Sequence, residues 1–475
     1  VPAAVERAAQ EKAANPEPAK KADTASSPEP LAKAGPLAFD HEDTLLRRIR
    51  DGVAYNQERG DYWRKTERGD YVKTSETDLK RHLRRGGYDL ASFVDVQFTR
   101  FDNAVCYAQE HSAVACVFDL AGHKAGLFNA ANGRRVLVPN GVRLIAPAKG
   151  SIENWIRLHE ELFGPEQFHR VLSWTKCALE DYYGTNPARW RHSQMLCLTG
   201  PTNCGKSYWQ RLLTLLFNTG SADPWLLFTG NDSGKFTKDL AESPHWLIQD
   251  KKPFGNLAAR ASFTANAKAH LVTSDLDVHG KGKDKVTLPT FRRVTLSTND
   301  DADFLTLIPN LEESMRDKLL IVKCAQATML PDFLENEARF VQERAAWLHF
   351  LLHEYSIPKE LEDVRMGVRA WCNPQIEEQL CEFDPVARFL ECVENVFFSE
   401  DMVTSVRLTV TEIQAKLVGD SKFGAVARQM LTGVNVTGQY LARLHKQHPQ
   451  RFTPKIARGV KRWVILSGRD ASVPG

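Results

Sequence analysis

Residues 194–207 read QMLCLTGPTNCGKS, and the fold follows from how this stretch is parsed. Gln194 to Thr199 is a short, mostly apolar run of the kind a buried parallel strand needs. It leads directly into Gly200, Pro201, Thr202, Asn203, Cys204, Gly205, Lys206 and Ser207. After Ser207, Trp209, Leu212, Leu213 and Leu216 recur at helical spacing. Strand, glycine loop and helix, in that order, are the context in which such a run binds phosphate. The two glycines let backbone N–H groups turn inward on phosphate oxygens, and the helix adds its positive N-terminus. Lys206 is expected to reach the β- and γ-phosphates of ATP or a related nucleotide, and the Ser207 hydroxyl to ligate Mg²⁺.

An enzyme of this kind also needs a strand that ends in an acidic residue, to hold the metal and polarise the attacking water. His245-Trp246-Leu247-Ile248-Gln249-Asp250 meets that need and delivers Asp250 beside Lys251 and Lys252. Further on, Arg292 to Asn299 (RRVTLSTN) reads as another strand. Its terminal amide, Asn299, can hydrogen-bond both the γ-phosphate and the lytic water without repelling either.

Packed between Gly200 and Asn299, these three motifs resemble the superfamily 3 helicases. The stretch from Ser233-Gly234-Lys235-Phe236 to Leu240-Ala241 resembles the phage and plasmid primase-helicases in particular. The resemblance covers roughly residues 165–325 and fades before 165. It implies an AAA+-type ATPase that assembles as a hexameric ring and translocates on DNA. It also implies an arginine supplied by the neighbouring subunit, and Arg316, ahead of the run LLIVKC, matches that position best. One departure stands out. The family's acidic strand ends in two carboxylates, whereas Asp250 here is flanked by Gln249 and Lys251. That leaves the catalytic base open and makes slow hydrolysis a real alternative.

Two regions carry the expectation of DNA contact. Asp277 to Leu288 (DVHGKGKDKVTL) reads as a hairpin with His279, Lys281 and Lys283 at a basic tip. In the resembling family a hairpin in this place points into the central channel. A solvated lysine loop would give the same run. Arg260 and Lys268 are weaker candidates on the preceding helix. Residues 384–468 read as a winged helix, with Arg443 and Lys446 on its last helix and Lys455, Arg458, Lys461 and Arg462 on a hairpin turning at Gly459.

The remaining sequence sets the frame. With 475 residues, 43% hydrophobic and 25% charged, the chain has room for several cores. A net charge of +3 is too mild to announce nucleic acid, so the DNA reading rests on the local clusters. Nine scattered cysteines without a CxxC pair fit neither a disulfide framework nor a zinc ribbon. No run is apolar enough to span a bilayer, so the expected setting is cytoplasmic, without a membrane partner. The chain starts at Val1, which suggests a piece of something longer.

The expected organisation is α/β. A linker over 1–40 rich in Ala, Pro, Glu and Lys precedes an α+β accessory domain over 41–150. Within the latter, residues 60–73 and 136–146 each read as a hairpin, the second split by Pro139-Asn140-Gly141. A helical collar over 151–190, the P-loop ATPase core over 191–330, a helical connector over 331–383, the winged helix over 384–468 and a tail over 469–475 complete it. The function expected is an ATP-dependent DNA helicase of a phage, plasmid or other mobile element. It would use Mg²⁺, act on single-stranded and forked DNA as a homohexamer, and meet a primase or replication partner through its N-terminal part. Two alternatives stay open: a DNA-stimulated loading ATPase that does not unwind, and a DNA-binding protein with a regulatory nucleotide site.

Overall fold

Every residue of Met195–Thr199 is buried, as an apolar run bounded by polar turns demands. In the computed structural model described here this strand, β1, lies inside a six-stranded parallel sheet. The other strands are β2 (Ser221–Ala222), β3 (His245–Ile248), β4 (Arg293–Thr298), β5 (Leu319–Lys323) and β6 (Trp371–Cys372). The structure describes residues 42–230, 237–254, 257–280, 285–328, 333–381, 385–399, 403–431, 433–457 and 459–468.

The spatial order is β6-β5-β1-β4-β3-β2, with β4 inserted between β1 and β3. Because the strands are parallel, the residues that follow β1, β3 and β4 all emerge at one carboxyl edge. In open α/β sheets that edge is where ligands bind.

Helices cover one face of the sheet. Helix α1 (Glu153–Gly184) and helix α2 (Lys206–Phe217) share a core with β1 and β5, built around Trp155, Trp174, Trp209 and Trp347. Trp155 stacks on Trp347 with ring centroids 5.4 Å apart. Helix α1 is kinked at Gly164-Pro165, where φ of Gly164 is +62° and the proline has no N–H to offer the preceding turn. The opposite face packs on helix α3 (Leu257–Val272), the 275–289 hairpin and residues 116–138.

Before α1 the described residues include a helix (Glu42–Gly52) and a sheet ordered 71–74, 61–65, 53–56, 113–114. The first expected hairpin forms, with Lys65 opposite Tyr71. The second, expected over 136–146, does not. Arg135–Val138 pairs instead with Gly126–Asn129 across a turn where Gly133 has φ +76°. From Pro139 to Ile152 the chain stays out of any strand. Asn140 is tied to Asp119 at 3.0 Å, and Val142 and Ile145 pack on the α1–α2 core rather than folding back on Val138. The apolar residues after the turn signal thus answer to tertiary packing.

Residues 385–468 build a core of their own from Phe389, Val393, Ile413, Leu417, Leu441, Leu444, Phe452, Trp463 and Ile465. Its elements are a helix (Pro385–Phe397), a strand (Ser405–Leu408), three helices (Val410–Gly419, Gly424–Met430, Val434–Gln447) and a hairpin (Phe452–Ala457, Val460–Leu466). The hairpin turns at Gly459, φ +76°. Thr409 and Glu412 close a capping box on the second helix. Among the described residues no helix is long and apolar enough to cross a membrane.

Candidate functional site

The loop after β1 is shaped by two glycines that cannot be replaced freely. Gly200 has φ +150°, and a Cβ there would sit 2.5 Å from the Cys324 carbonyl oxygen. Gly205, at φ +113°, starts α2 with no side-chain cap, so the helix's first N–H groups remain available at the loop. Asn203 adopts φ +62°, the left-handed region that Asn tolerates better than most residues. Lys206 is folded back and buried. Its Nζ donates to the Gly200 and Pro201 carbonyls at 2.7 Å each and lies 3.6 Å from Cys204 Sγ.

A cleft of about 430 Å³ opens over this loop, within the range of roughly 300–1,000 Å³ usual for small-ligand sites. Its lining includes Thr202 to Tyr208, Asp250 and Asn299. Three motifs spread over a hundred residues of sequence therefore converge on one space. Asp250 follows β3 with φ +50° and is exposed. The neighbouring Lys251 ammonium is held by Asp223 and lies 5.7 Å from the Trp225 ring. The turn after β4 is fixed by Thr298 Oγ1, which donates to the Phe304 carbonyl at 2.9 Å.

The structure also reveals a buried polar chain that the sequence reading passed over. Gln249 Nε2 donates to Gln210 Oε1 (2.9 Å), and Gln210 Nε2 donates to Thr295 Oγ1 (2.7 Å). Thr295 Oγ1 and Thr214 Oγ1 each lie 2.7 Å from a ring nitrogen of His245. Thr214 Oγ1 already donates to the Gln210 carbonyl (3.1 Å), so it accepts from His245 Nδ1–H. His245 Nε2 then accepts the Thr295 proton, and the ring is neutral; burial pushes its pKa down to about 3. The chain ties the phosphate-loop helix to β3 and β4, and fixes Gln249 as an amide donor beside Asp250. Its signal in the sequence was a polar pair at i, i+4, Gln210 and Thr214, set among Trp209, Leu212, Leu213 and Leu216.

Other expected residues lie elsewhere. Arg316 is outside the cleft, about half exposed and bonded to Glu377 at 2.7 Å. It borders a second cleft, between the α/β unit and the C-terminal unit, together with Arg260, Arg443 and Lys446. Arg443 pairs there with Glu312 at 3.7 Å. Arg260 is buried and donates to the Ile308 carbonyl at 3.0 Å. Lys461 and Arg462 are on the C-terminal hairpin, well apart in sequence from that pair, with Arg462 opposite Lys455 in register. The 275–278 and 286–289 strands pair as expected, and the His279 N–H donates to Thr237 Oγ1 at 3.0 Å. Lys281 and Lys283 fall outside the described residues, as do Ser233 to Phe236 and Arg458.

No protein-family model matches this sequence, and no curated protein matches it. Solved structures do. The apo structure of the NrS-1 C-terminal region aligns with 12% identity over 89% of this chain and 98% of that one, at a TM-score of 0.51. Its A form aligns over the same shares at 0.50 with the same identity. The chain shares the mixed α/β fold of that region across nearly its whole length. A JCV helicase structure aligns over 46% of this chain and 59% of that one with 15% identity, at a TM-score of 0.24, too little overlap to bear on the fold.

Proposed function

We propose that the chain is an ATP-dependent DNA helicase of the superfamily 3 type, from a phage, plasmid or other mobile element. One observation carries the reading: Thr202–Ser207 of the glycine loop, Asp250 and Asn299 line a single cleft at the carboxyl edge of a sheet in which β4 separates β1 from β3. The loop suits a polyphosphate. It offers an open helix end and a lysine that holds its own loop carbonyls until a phosphate replaces them. Ser207 and Asp250 are hard oxygen donors on that cleft, suited to Mg²⁺, which keeps several waters of its own. When bound, the metal would neutralise charge developing on the phosphates. Asn299 would orient the lytic water.

In this reading the subunits form a hexamer, and Arg316 acts on the neighbouring subunit's nucleotide, consistent with its distance from its own cleft. The 275–289 hairpin would grip single-stranded DNA through His279, Lys281 and Lys283. Residues 384–468 form a winged helix whose hairpin, with Lys461 and Arg462, meets the duplex, while Arg443 and Lys446 serve the junction with the α/β unit. Residues 41–150 are the accessory domain that would meet a primase or replication partner.

The Gln249 amide, held as a donor where the family has a second carboxylate, favours a second reading: a DNA-binding protein whose nucleotide site is regulatory. Forked-duplex unwinding with ATP and Mg²⁺, run beside a sizing measurement, separates the two. Unwinding by a ring that is lost in Lys206→Ala supports the helicase. A ring that binds ATP and DNA and never separates strands refutes it.

A further inference from the structure

The hairpin that closes the C-terminal unit outruns the core it belongs to. Its strands, Phe452–Ala457 and Val460–Leu466, pair from Phe452 and Ile465 out to Ala457 and Val460. The third strand of that sheet, Ser405–Leu408, reaches only Trp463 to Leu466. Phe452, Trp463 and Ile465 are therefore buried. The three outer pairs, Lys455 with Arg462, Ile456 with Lys461 and Ala457 with Val460, have no further strand beside them. At about 3.4 Å per residue they form a two-stranded ribbon that projects roughly 10 Å, before the turn at Gly459.

The end of this ribbon is apolar although solvent surrounds it. Ile456 is 78% exposed and Val460 47%. Among the described residues of 385–468, the other large apolar side chain so exposed is Val426, on the helix Gly424–Met430. Behind the tip the ribbon is cationic. From Thr453 to Leu466 the sequence carries Lys455, Arg458, Lys461 and Arg462 and no carboxylate. Opposite residues of an antiparallel pair share a face. Ile456 and Lys461 thus lie on one face, and Lys455, Arg462 and Val460 on the other. A ribbon laid in a DNA groove turns one face to the base edges and the other away, which would sort its apolar and cationic groups between faces. Here each face has an exposed aliphatic residue near the tip and cationic side chains beside it. That pattern suits a ribbon with a polyanionic strand on either side.

We propose that this ribbon is a strand-parting wedge: at a DNA fork, Ile456 and Val460 cover the last base pair, while Lys455, Lys461 and Arg462 hold the phosphates of the two departing strands. Apolar side chains driven against a base step unstack it. The last pair before a fork is stacked on one side only, so an aliphatic tip finds a bare base face to cover. Cations on both faces of the ribbon draw one backbone to each side, and phosphate contacts of this kind carry most of the affinity. This role rests on the reading of residues 384–468 as a duplex-facing winged helix, and adds the group that opens the pair.

The test uses the full chain without nucleotide and a forked duplex with 2-aminopurine in the last pair before the fork, beside a second duplex with the probe deep inside. Anisotropy of an end label reports binding, and 2-aminopurine emission at saturating chain reports unstacking. Emission at the fork pair should rise by at least about twofold on binding, with the interior probe unchanged. Ile456→Ala at saturation should remove most of that rise, and Ile456→Leu should keep it. An unchanged thermal melt, expected for so exposed a residue, separates the loss from misfolding. Lys461→Ala/Arg462→Ala should bind the fork at least about fivefold more weakly. A rise absent from the bound parent chain, or one that survives Ile456→Ala, overturns the wedge and leaves the duplex reading standing. A chain that does not bind the fork, or that binds it equally well as Lys461→Ala/Arg462→Ala, overturns the duplex reading and the wedge with it. Binding to phosphatidylserine vesicles that Ile456→Ala abolishes, with no rise on DNA, would give the tip to a lipid surface instead.

Discussion

Lowering the pH from 7.5 to 5.0 should cost the α/β unit about 4 kcal/mol through His159 and His245 alone, with the partly buried His270, also lowered to about 4, adding to the loss. His159 Nδ1–H donates to the Trp155 carbonyl at 2.7 Å, and its Nε2 accepts from Trp209 Nε1–H at 3.1 Å. His245 is saturated in the same way by Thr214 and Thr295. Both rings are fully buried, and a second ring proton would face an existing donor. Burial accordingly lowers their pKa values to about 4 and about 3, from 6.5. The unfolded chain takes up these protons as the pH falls through 6.5, while the folded chain refuses them until near its own values. The stability is therefore fully present above about pH 6.5 and lost as the pH falls toward 4 and 3. At pH 5.0 each ring is about 1.5 pH units below its unfolded pKa, or about 2 kcal/mol per ring at 1.36 kcal/mol per unit. Urea unfolding followed by tryptophan fluorescence, at constant ionic strength, gives the difference directly. In His245→Gln the loss between the two pH values should shrink by about 2 kcal/mol. A His159→Gln/His245→Gln double variant that loses as much as the parent would refute the assignment.

Gly200→Ala should cost roughly 1–3 kcal/mol from backbone strain, and more from the 2.5 Å approach to the Cys324 carbonyl, with a matching loss of nucleotide affinity. Gly164→Ala, where φ is +62° and nothing lies within 4 Å, should cost roughly 1–3 kcal/mol from backbone strain alone and leave binding intact; thermal melts and analogue titrations check both. Replacing Lys461 and Arg462 by Ala should weaken duplex binding about equally across sequences and reduce the salt slope by about 2 if both contact phosphates, as measured by fluorescence anisotropy between 50 and 200 mM salt.

Much of the α/β unit was legible because its signals are local. Apolar runs at Met195–Thr199, His245–Ile248, Arg293–Thr298 and Leu319–Lys323 are short, bounded by turns, and became strands where expected. The 136–146 hairpin was misread for a reason of the same kind in reverse. Pro-Asn-Gly between apolar runs is a genuine turn signal, yet the second run found more burial on the α1–α2 core than on its neighbour.

For the site, the residue types at Gly200–Ser207, Asp250 and Asn299 were set by the sequence alone, because the chemistry of a polyphosphate restricts which side chains can serve it. Which strand lies between which was beyond it, since strand order depends on crossovers that leave no local pattern. Only the tertiary structure put β4 between β1 and β3 and brought the three motifs to one cleft. The same holds for the polar chain through His245. Gln210 and His245 are 35 residues apart, and each is unremarkable where it stands in the sequence. Their chemistry comes from burial beside a partner, and burial is a property of the fold.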